Sequence, residues 1–249
     1  MSFLRRRLLK YILALSVGIG SFIIIKNLLN SITTKKYNGE QVQYPQSPIG
    51  IGSVVKLPEV RLKSDFSIEE ALLKRRSIRD YKDEPLTLQE VSQLLWAAQG
   101  ITDPRGFRTA PSAGATYPLE VYVVVGNVLG LEKGVYKYNP HENKLVKVLD
   151  GDKRRDLAIA ALHQEWVERC AIDLVFTAIY RRTTSRYGDR GIRYVHMEVG
   201  HAAQNVYLQA VSLKLGSVVI GAFYDDQVKK ILNLPADEEP LYIHSIGRV

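Results

Sequence analysis

Arg75-Arg76-Ser77-Ile78-Arg79-Asp80-Tyr81 places three guanidiniums and a hydroxyl within five residues. Just upstream, Ser67-Ile68-Glu69-Glu70 has a capping-box pattern, in which the serine oxygen takes an orphan N–H three residues on. It opens a helix carrying Ile68, Ala71 and Leu72, and the arginines fall where that helix ends. A planar guanidinium fork matches phosphate oxygens, so the cluster can clamp a phosphate. Taken alone, such a cluster is more often a solvated face than a binding site.

Two further stretches bear on that choice. Thr109-Ala110-Pro111-Ser112-Ala113-Gly114-Ala115-Thr116-Tyr117-Pro118 is a run of small residues between prolines, leading into a strand. Small residues let the backbone approach a flat ligand and offer it hydrogen-bonding groups. Gly216-Ser217-Val218-Val219-Ile220-Gly221-Ala222-Phe223 reads as a core strand, or as a strand whose end lies along a ring system. Together the three describe a pocket for something planar and phosphorylated.

The rest of the chain supplies strands and helices without a regular βαβ repeat, which argues for α+β over a doubly wound sheet. A second box, Thr87-Leu88-Gln89-Glu90, opens a helix with Leu88, Val91, Leu94, Leu95 and Ala98 at helical spacing, and Gly100 suits its C-terminal cap. Val121–Val125 reads as a buried strand, and 135–138 and 145–148 alternate as a hairpin around Asn139–Asn143. Helical stretches at 153–162 and 164–170 precede a strand at 172–179. The longest helical pattern runs from Arg193 to Leu215, closed by Gly216; a strand at 217–222, a helix at 225–232 and a strand at 241–246 follow. Trp96 belongs to the core.

Of 249 residues, 34 are Lys or Arg and 26 Asp or Glu, a formal net charge of +8. Seven bases and no acid lie in 1–36, which leaves 27 basic and 26 acidic side chains in the remainder. A nearly neutral body argues against nucleic acid as a partner. Hydrophobic residues at 46% exclude wholesale disorder, and the single Cys170, just ahead of an apolar run, excludes an internal disulfide.

In the leader, Tyr11–Ile25 is uncharged and reaches roughly 22 Å as a helix, short of a bilayer's ~30 Å core unless it continues through Ile32 with Lys26 snorkelling. No small-x-small cleavage site follows, which favours an uncleaved anchor over a removed signal. Arg5-Arg6-Arg7-Leu8-Leu9-Lys10 resembles a twin-arginine export signal, and also obeys the positive-inside rule. Both readings put the body outside the cytoplasm, at the membrane. The expected organisation is a signal or anchor at 1–36, a Pro- and Gly-containing linker or extended arm at 37–62, and one globular domain at 63–249.

The Arg75-Arg76-Ser77-Ile78-Arg79-x-Tyr81 segment, the Pro111-Ser112-Ala113-Gly114 loop and the long helix with Glu198, Gly200-His201 and Gln204-Asn205 together resemble the nitroreductase-fold FMN oxidoreductases. More narrowly they resemble the SagB-type dehydrogenase branch, which includes azoline oxidases of peptide biosynthesis. The likeness covers roughly 66–248. It implies an α+β sandwich, an antiparallel or mixed sheet flanked by helices, and a homodimer with FMN at the interface. By the same resemblance Arg75, Arg76, Ser77 and Arg79 hold the FMN phosphate and ribityl chain. Pro111, Ser112, Ala113 and Gly114 reach the other subunit's flavin, Val219, Ile220, Gly221 and Ala222 cover one face of the ring, and Arg248 reaches the phosphate.

One departure stands out. Azoline oxidases carry a Lys-Tyr pair before the long helix, with the lysine as base; here the pair is Arg186-Tyr187. Arginine stays protonated and takes up no proton, while Tyr187 can still donate one, which makes it the catalytic candidate. His196 and His201, about 140° apart on a helix, do not share a face as metal ligands would, and no metal is expected. Glu198 and His201, three apart, can pair. The function implied is hydride transfer through flavin N5 between a donor and a small organic or peptide substrate. Alternatives are a cytoplasm-facing NAD(P)H-dependent nitro or quinone reductase and a non-catalytic flavin-binding subunit.

Overall fold

Leu119-Glu120-Val121-Tyr122-Val123-Val124-Val125 is β2 (Leu119–Val125), an inner strand of the sheet. The computed structural model describes residues 52–249. The signal or anchor at 1–36 and most of the arm at 37–62 therefore lie outside the described residues. Among the described residues no helix is long and apolar enough to cross a membrane.

Side chains alternate across a strand, so β2 feeds two cores. Leu119, Val121, Val123 and Val125 pack with α2 (Leu88–Gln99) and α6 (Arg190–Ser212). Tyr122 and Val124 pack on the other face with α3 (Arg154–Ala160), α4 (Glu165–Arg169) and α7 (Asp225–Leu232). An inner strand covered on both faces by helices has no wet side, which is why it reads as a continuous apolar run.

Seven strands lie in the order β1-β4-β3-β2-β5-β7-β6, every neighbouring pair antiparallel. The expected hairpin is β3 (Gly134–Asn139) and β4 (Lys144–Asp150), turned by Asn139, whose side chain takes the His141 N–H, and by left-handed Asn143. β5 (Ile172–Ala178) and β7 (Glu239–Arg248) continue the sheet to its edge, β6 (Leu215–Ile220). The arm supplies an element of its own: β1 (Val54–Lys56) pairs with β4, and Pro58 then fastens the chain to α2 by accepting from Ser92 at 2.6 Å.

α6 departs from the expected 193–215. It begins at Arg190, without a side-chain cap, and stops at Ser212. Lys214 takes the left-handed conformation (φ +58°) that ends it, and Gly216 lies inside β6 rather than at the cap. Its lack of a side chain serves a close approach: a Cβ there would lie 2.9 Å from Ile78 Cγ2. Both expected capping boxes mark helix starts. Thr87 and Glu90 bond reciprocally, whereas at α1 (Ile68–Lys74) Ser67 caps Glu70 N–H and the Glu70 carboxylate turns to Lys74 instead.

Candidate active site

The basic segment runs along the outer edge of β6. Ile78 N–H donates to Ser217 O at 3.0 Å, and Lys82 N–H to Arg248 O at 3.0 Å. Arg75, at the end of α1, sets its guanidinium 5.2 Å from the Tyr207 ring; Arg79 lies 5.2 Å from the Trp166 ring. Arg76 donates to the carbonyls of Leu73 and Arg75. Among the described residues none of these three guanidiniums has a carboxylate in salt-bridge range, and the Ser77 side chain is exposed.

Tyr207 of α6 joins this cluster to the strand. Its oxygen accepts the Val219 N–H at 2.7 Å and stands 3.3 Å from Ser77 Oγ. Because Val219 N–H and Ser217 O point away from β7, the alternation of an antiparallel strand turns the Gly221 backbone outward as well. Ala222 is tied back through its carbonyl, which accepts from Gln164 at 3.1 Å. Beside Gly221 opens a cavity of about 420 Å³, lined among others by Tyr180, His196, Val199, Phe223 and Tyr242. In it the Tyr180 hydroxyl and His196 Nε2 are 2.6 Å apart.

The small-residue loop is held by different elements. Ser112 leads into a short 3-10 turn, Ala113–Ala115, in which Gly114 has φ +61°. Ser112 Oγ accepts from Tyr117 N–H at 2.9 Å and bonds the Glu198 carboxyl, while Pro111 stays exposed. Asn205 donates to Thr109 O at 3.2 Å. At the end of α5 (Arg181–Tyr187), Arg186 donates to Gly114 O at 3.1 Å and the Tyr187 hydroxyl lies over Gly114. The catalytic candidate and the loop are thus brought together. Glu198 bonds the loop rather than pairing with His201, which is exposed.

Helix geometry separates the two groups. Glu198 and Asn205, seven apart, lie on one side of α6, whereas Tyr207, nine residues from Glu198, is about 180° around the axis and ~13 Å along it. A single chain therefore presents the arginine cluster and the Pro-Ser loop on opposite flanks of one helix. Arg248 is also engaged elsewhere, donating to Glu90 Oε1 and Oε2 at 2.7 and 2.8 Å.

Among the buried groups with shifted titration are Glu198, Asp173 and His244. Burial pushes Glu198 up to about 7 despite the Ser112 bond and nearby Arg108, and its Oε1 has no partner among the described residues. Burial lifts Asp173 to about 7 against a bond from Ser245. It drives His244, beneath Tyr207 with ring centroids 4.5 Å apart, down to about 3, and neither of its ring nitrogens has a partner among the described residues. Tyr207, Glu198's bond to Ser112 and His244 all escape sequence reading. Each is defined by a contact across elements, and the only local hint is a polar-tipped aromatic flanking the stripe Val199, Ala202, Val206 and Ala210.

The described residues form an antiparallel α+β sandwich with a basic segment along the sheet edge. The chain belongs to the nitroreductase family: the family profile, described as Nitroreductase family, matches residues 72–248. A provisionally named nitroreductase of Methanocaldococcus jannaschii is 53% identical over 194 residues, covering 78% of this chain and 96% of that protein. Among solved structures, a provisionally named nitroreductase of Anabaena variabilis superposes with TM-score 0.71 at 31% identity, over 82% of this chain and 43% of that longer one. The Escherichia coli microcin synthetase McbBCD complex with truncated pro-MccB17 bound gives 0.60 at 25%, over 77% and 78%. The Vibrio harveyi NADPH:FMN oxidoreductase complexed with NAD+ gives 0.54 at 25%, over 73% and 68%.

FMN, the cofactor associated with this family, fits the residues present. Its phosphate would meet the Arg75 guanidinium and the Ser77 hydroxyl, and its ring edge would meet the outward backbone at Gly221.

Proposed function

We propose that this protein is an FMN-dependent oxidoreductase of the SagB-type branch, working as a homodimer. The observation that carries the reading is Arg75 set 5.2 Å from the Tyr207 ring, whose hydroxyl accepts the Val219 N–H at the edge of β6. Bound there, FMN supplies hydride transfer through N5 between a donor and a small organic or peptide substrate. The chain's own residues bind the phosphate at Arg75, Arg76, Ser77 and Arg79 and orient the ring at Val219, Ile220, Gly221 and Ala222. Pro111, Ser112, Ala113 and Gly114 reach the partner's flavin, since one chain's loop and clamp lie on opposite flanks of α6. Tyr187, standing on that loop, donates a proton from its hydroxyl to the reduced substrate. Arg186 holds Gly114 O and, staying protonated, accepts no proton, so this reading gives it no role as the base of an azoline oxidation. The basic, apolar leader supports membrane anchoring with the body extracytoplasmic. Proton-coupled reduction of a small molecule by a quinone pool or carrier then suits the location better than NAD(P)H.

The likeness to the Vibrio harveyi enzyme favours a second reading, an NAD(P)H-dependent nitro or quinone reductase facing the cytoplasm. Flavin absorbance of the purified full chain tests the first claim; a colourless protein that takes up no added FMN defeats it. Anaerobic mixing with NADH separates the readings, because bleaching of the flavin bands selects the reductase.

A further inference from the structure

We infer that Tyr207 is a direct ligand of the anionic end of the bound cofactor, its hydroxyl donating to a phosphate oxygen beside Ser77 and Arg75. The inference rests on the FMN reading above and adds a residue to it. Tyr207 is half-buried on the flank of α6 where the helix passes the β6 edge. Its oxygen already accepts the Val219 N–H at 2.7 Å, so its own proton must be directed elsewhere. The one other partner among the described residues is Ser77 Oγ at 3.3 Å, longer than the ~2.7–2.8 Å usual for O–H···O. Two hydroxyls thus share a loose contact at the mouth of a basic cluster that lacks a carboxylate. An oxyanion placed between them would receive two shorter, charge-assisted bonds while Arg75, 5.2 Å from the phenol ring, neutralises it.

The surroundings fix the phenol in that attitude. Fully buried His244 packs beneath the ring at 4.5 Å, tilted by 53°, and offers the hydroxyl no competing bond. The Val219 bond pins the oxygen at the strand edge, between the part closed by Ile78 and the open part at Gly221. Tyr207 is therefore placed to link the phosphate end of the ligand to the strand along which its ring lies.

Titration of FMN and of riboflavin, which lacks the phosphate, into the flavin-stripped full-length protein tests this. Tyr207→Phe keeps the ring and removes only the hydroxyl. Expected is a rise of about tenfold or more in the FMN dissociation constant, the scale of one hydrogen bond to a charged group, with riboflavin changing by less than roughly threefold. Inorganic phosphate should displace FMN from the wild type. Ser77→Ala should also weaken FMN, and its loss should not add to that of Tyr207→Phe, because the two hydroxyls serve one oxyanion. Equal losses for FMN and riboflavin would mark Tyr207 as a structural support, and unchanged FMN affinity would remove it from the site; either overturns the inference. A wild type that takes up neither flavin overturns the FMN reading itself, an outcome distinct from both.

Discussion

The Tyr187 hydroxyl stands over the α-carbon of Gly114: a Cβ built there would fall 2.5 Å from the phenolic oxygen and 2.7 Å from Arg186 Nη1. Gly114 also has φ +61°, which an L side chain adopts at a cost. Gly114→Ala must therefore strain the backbone and push the catalytic candidate aside together. The expected result is a loss of about 1 kcal/mol or more in stability. Turnover of any substrate the wild type accepts should fall roughly tenfold, the scale of a misplaced catalytic group. Thermal melting and steady-state kinetics check it; a variant with wild-type turnover shows that Tyr187 need not occupy this position.

The three arginines should not contribute alike. Arg75 is half-buried against Tyr207, whereas Arg76 is spent on carbonyls at the end of α1, a C-capping role. Arg75→Ala should weaken FMN retention by roughly ten- to hundredfold. Arg76→Ala should weaken it less, while loosening the helix end by about 0.5–1 kcal/mol. Flavin absorbance retained through gel filtration, followed by titration, ranks them; equal losses would contradict this division.

What the sequence made legible follows from how local each signal is. Alternation at Val135–Tyr138 and Leu145–Val148 specifies the hairpin because strand faces repeat every two residues. Thr87 and Glu90 specify a helix start because both halves of the bond lie within one turn. The end of α6 is harder to read: Lys214, not glycine, takes the left-handed position, so the pattern runs on to Gly216. The arginine cluster and the Pro-Ser loop are recognisable as segments, but their placement on opposite flanks of α6 depends on packing. So does the bond between Glu198 and Ser112, 86 positions apart, and the contact of Tyr207 with Ser77, 130 positions apart.

Buried Asp173, Glu198 and His244 give stability a defined pH dependence. Asp173 rises from the ordinary 3.8 to about 7 and Glu198 from 4.5 to about 7, both through burial. Between those limits the unfolded chain has released protons that the folded chain keeps, so each acid makes stability fall as pH rises from about 4 to 7. His244, lowered from 6.5 to about 3, acts oppositely: the unfolded chain gains a proton the folded one refuses, and stability is lost as pH falls through that window. Over about pH 4.5–6.5 the two acids of this trio oppose its one imidazole, so the three together lose stability with rising pH. In Asp173→Asn one acid opposes one imidazole, and the slope should flatten. Relative to wild type, the variant should gain on the order of 4 kcal/mol between pH 4 and pH 7. Urea denaturation across that range measures it, and an unchanged slope would show that Asp173 ionises in the folded state.

Arg248 and Glu90 decide between two roles for the penultimate residue. The family resemblance assigns Arg248 to the phosphate, yet its guanidinium grips both Glu90 oxygens and also donates to Pro85 O at 3.2 Å. Burial raises the Glu90 carboxyl, but the bonds from Arg248 and Thr87 outweigh it and hold the group below its ordinary range. Because Glu90 also completes the capping box of α2, the pair clamps the end of β7 to the start of that helix. Arg248→Ala should cost about 1–3 kcal/mol in stability, the scale of a charged bidentate pair. Glu90→Gln should cost a comparable amount by weakening the same bonds. If the clamp is the guanidinium's main task, Arg248→Ala should lower FMN affinity less than Arg75→Ala does, and Glu90→Gln should leave it near the wild-type value. If Arg248 instead leaves Glu90 for the phosphate when FMN binds, Glu90→Gln should tighten FMN, because the competing carboxylate charge is gone. Melting temperature and FMN titration of the two variants, measured side by side, separate these cases, and the geometry favours the clamp.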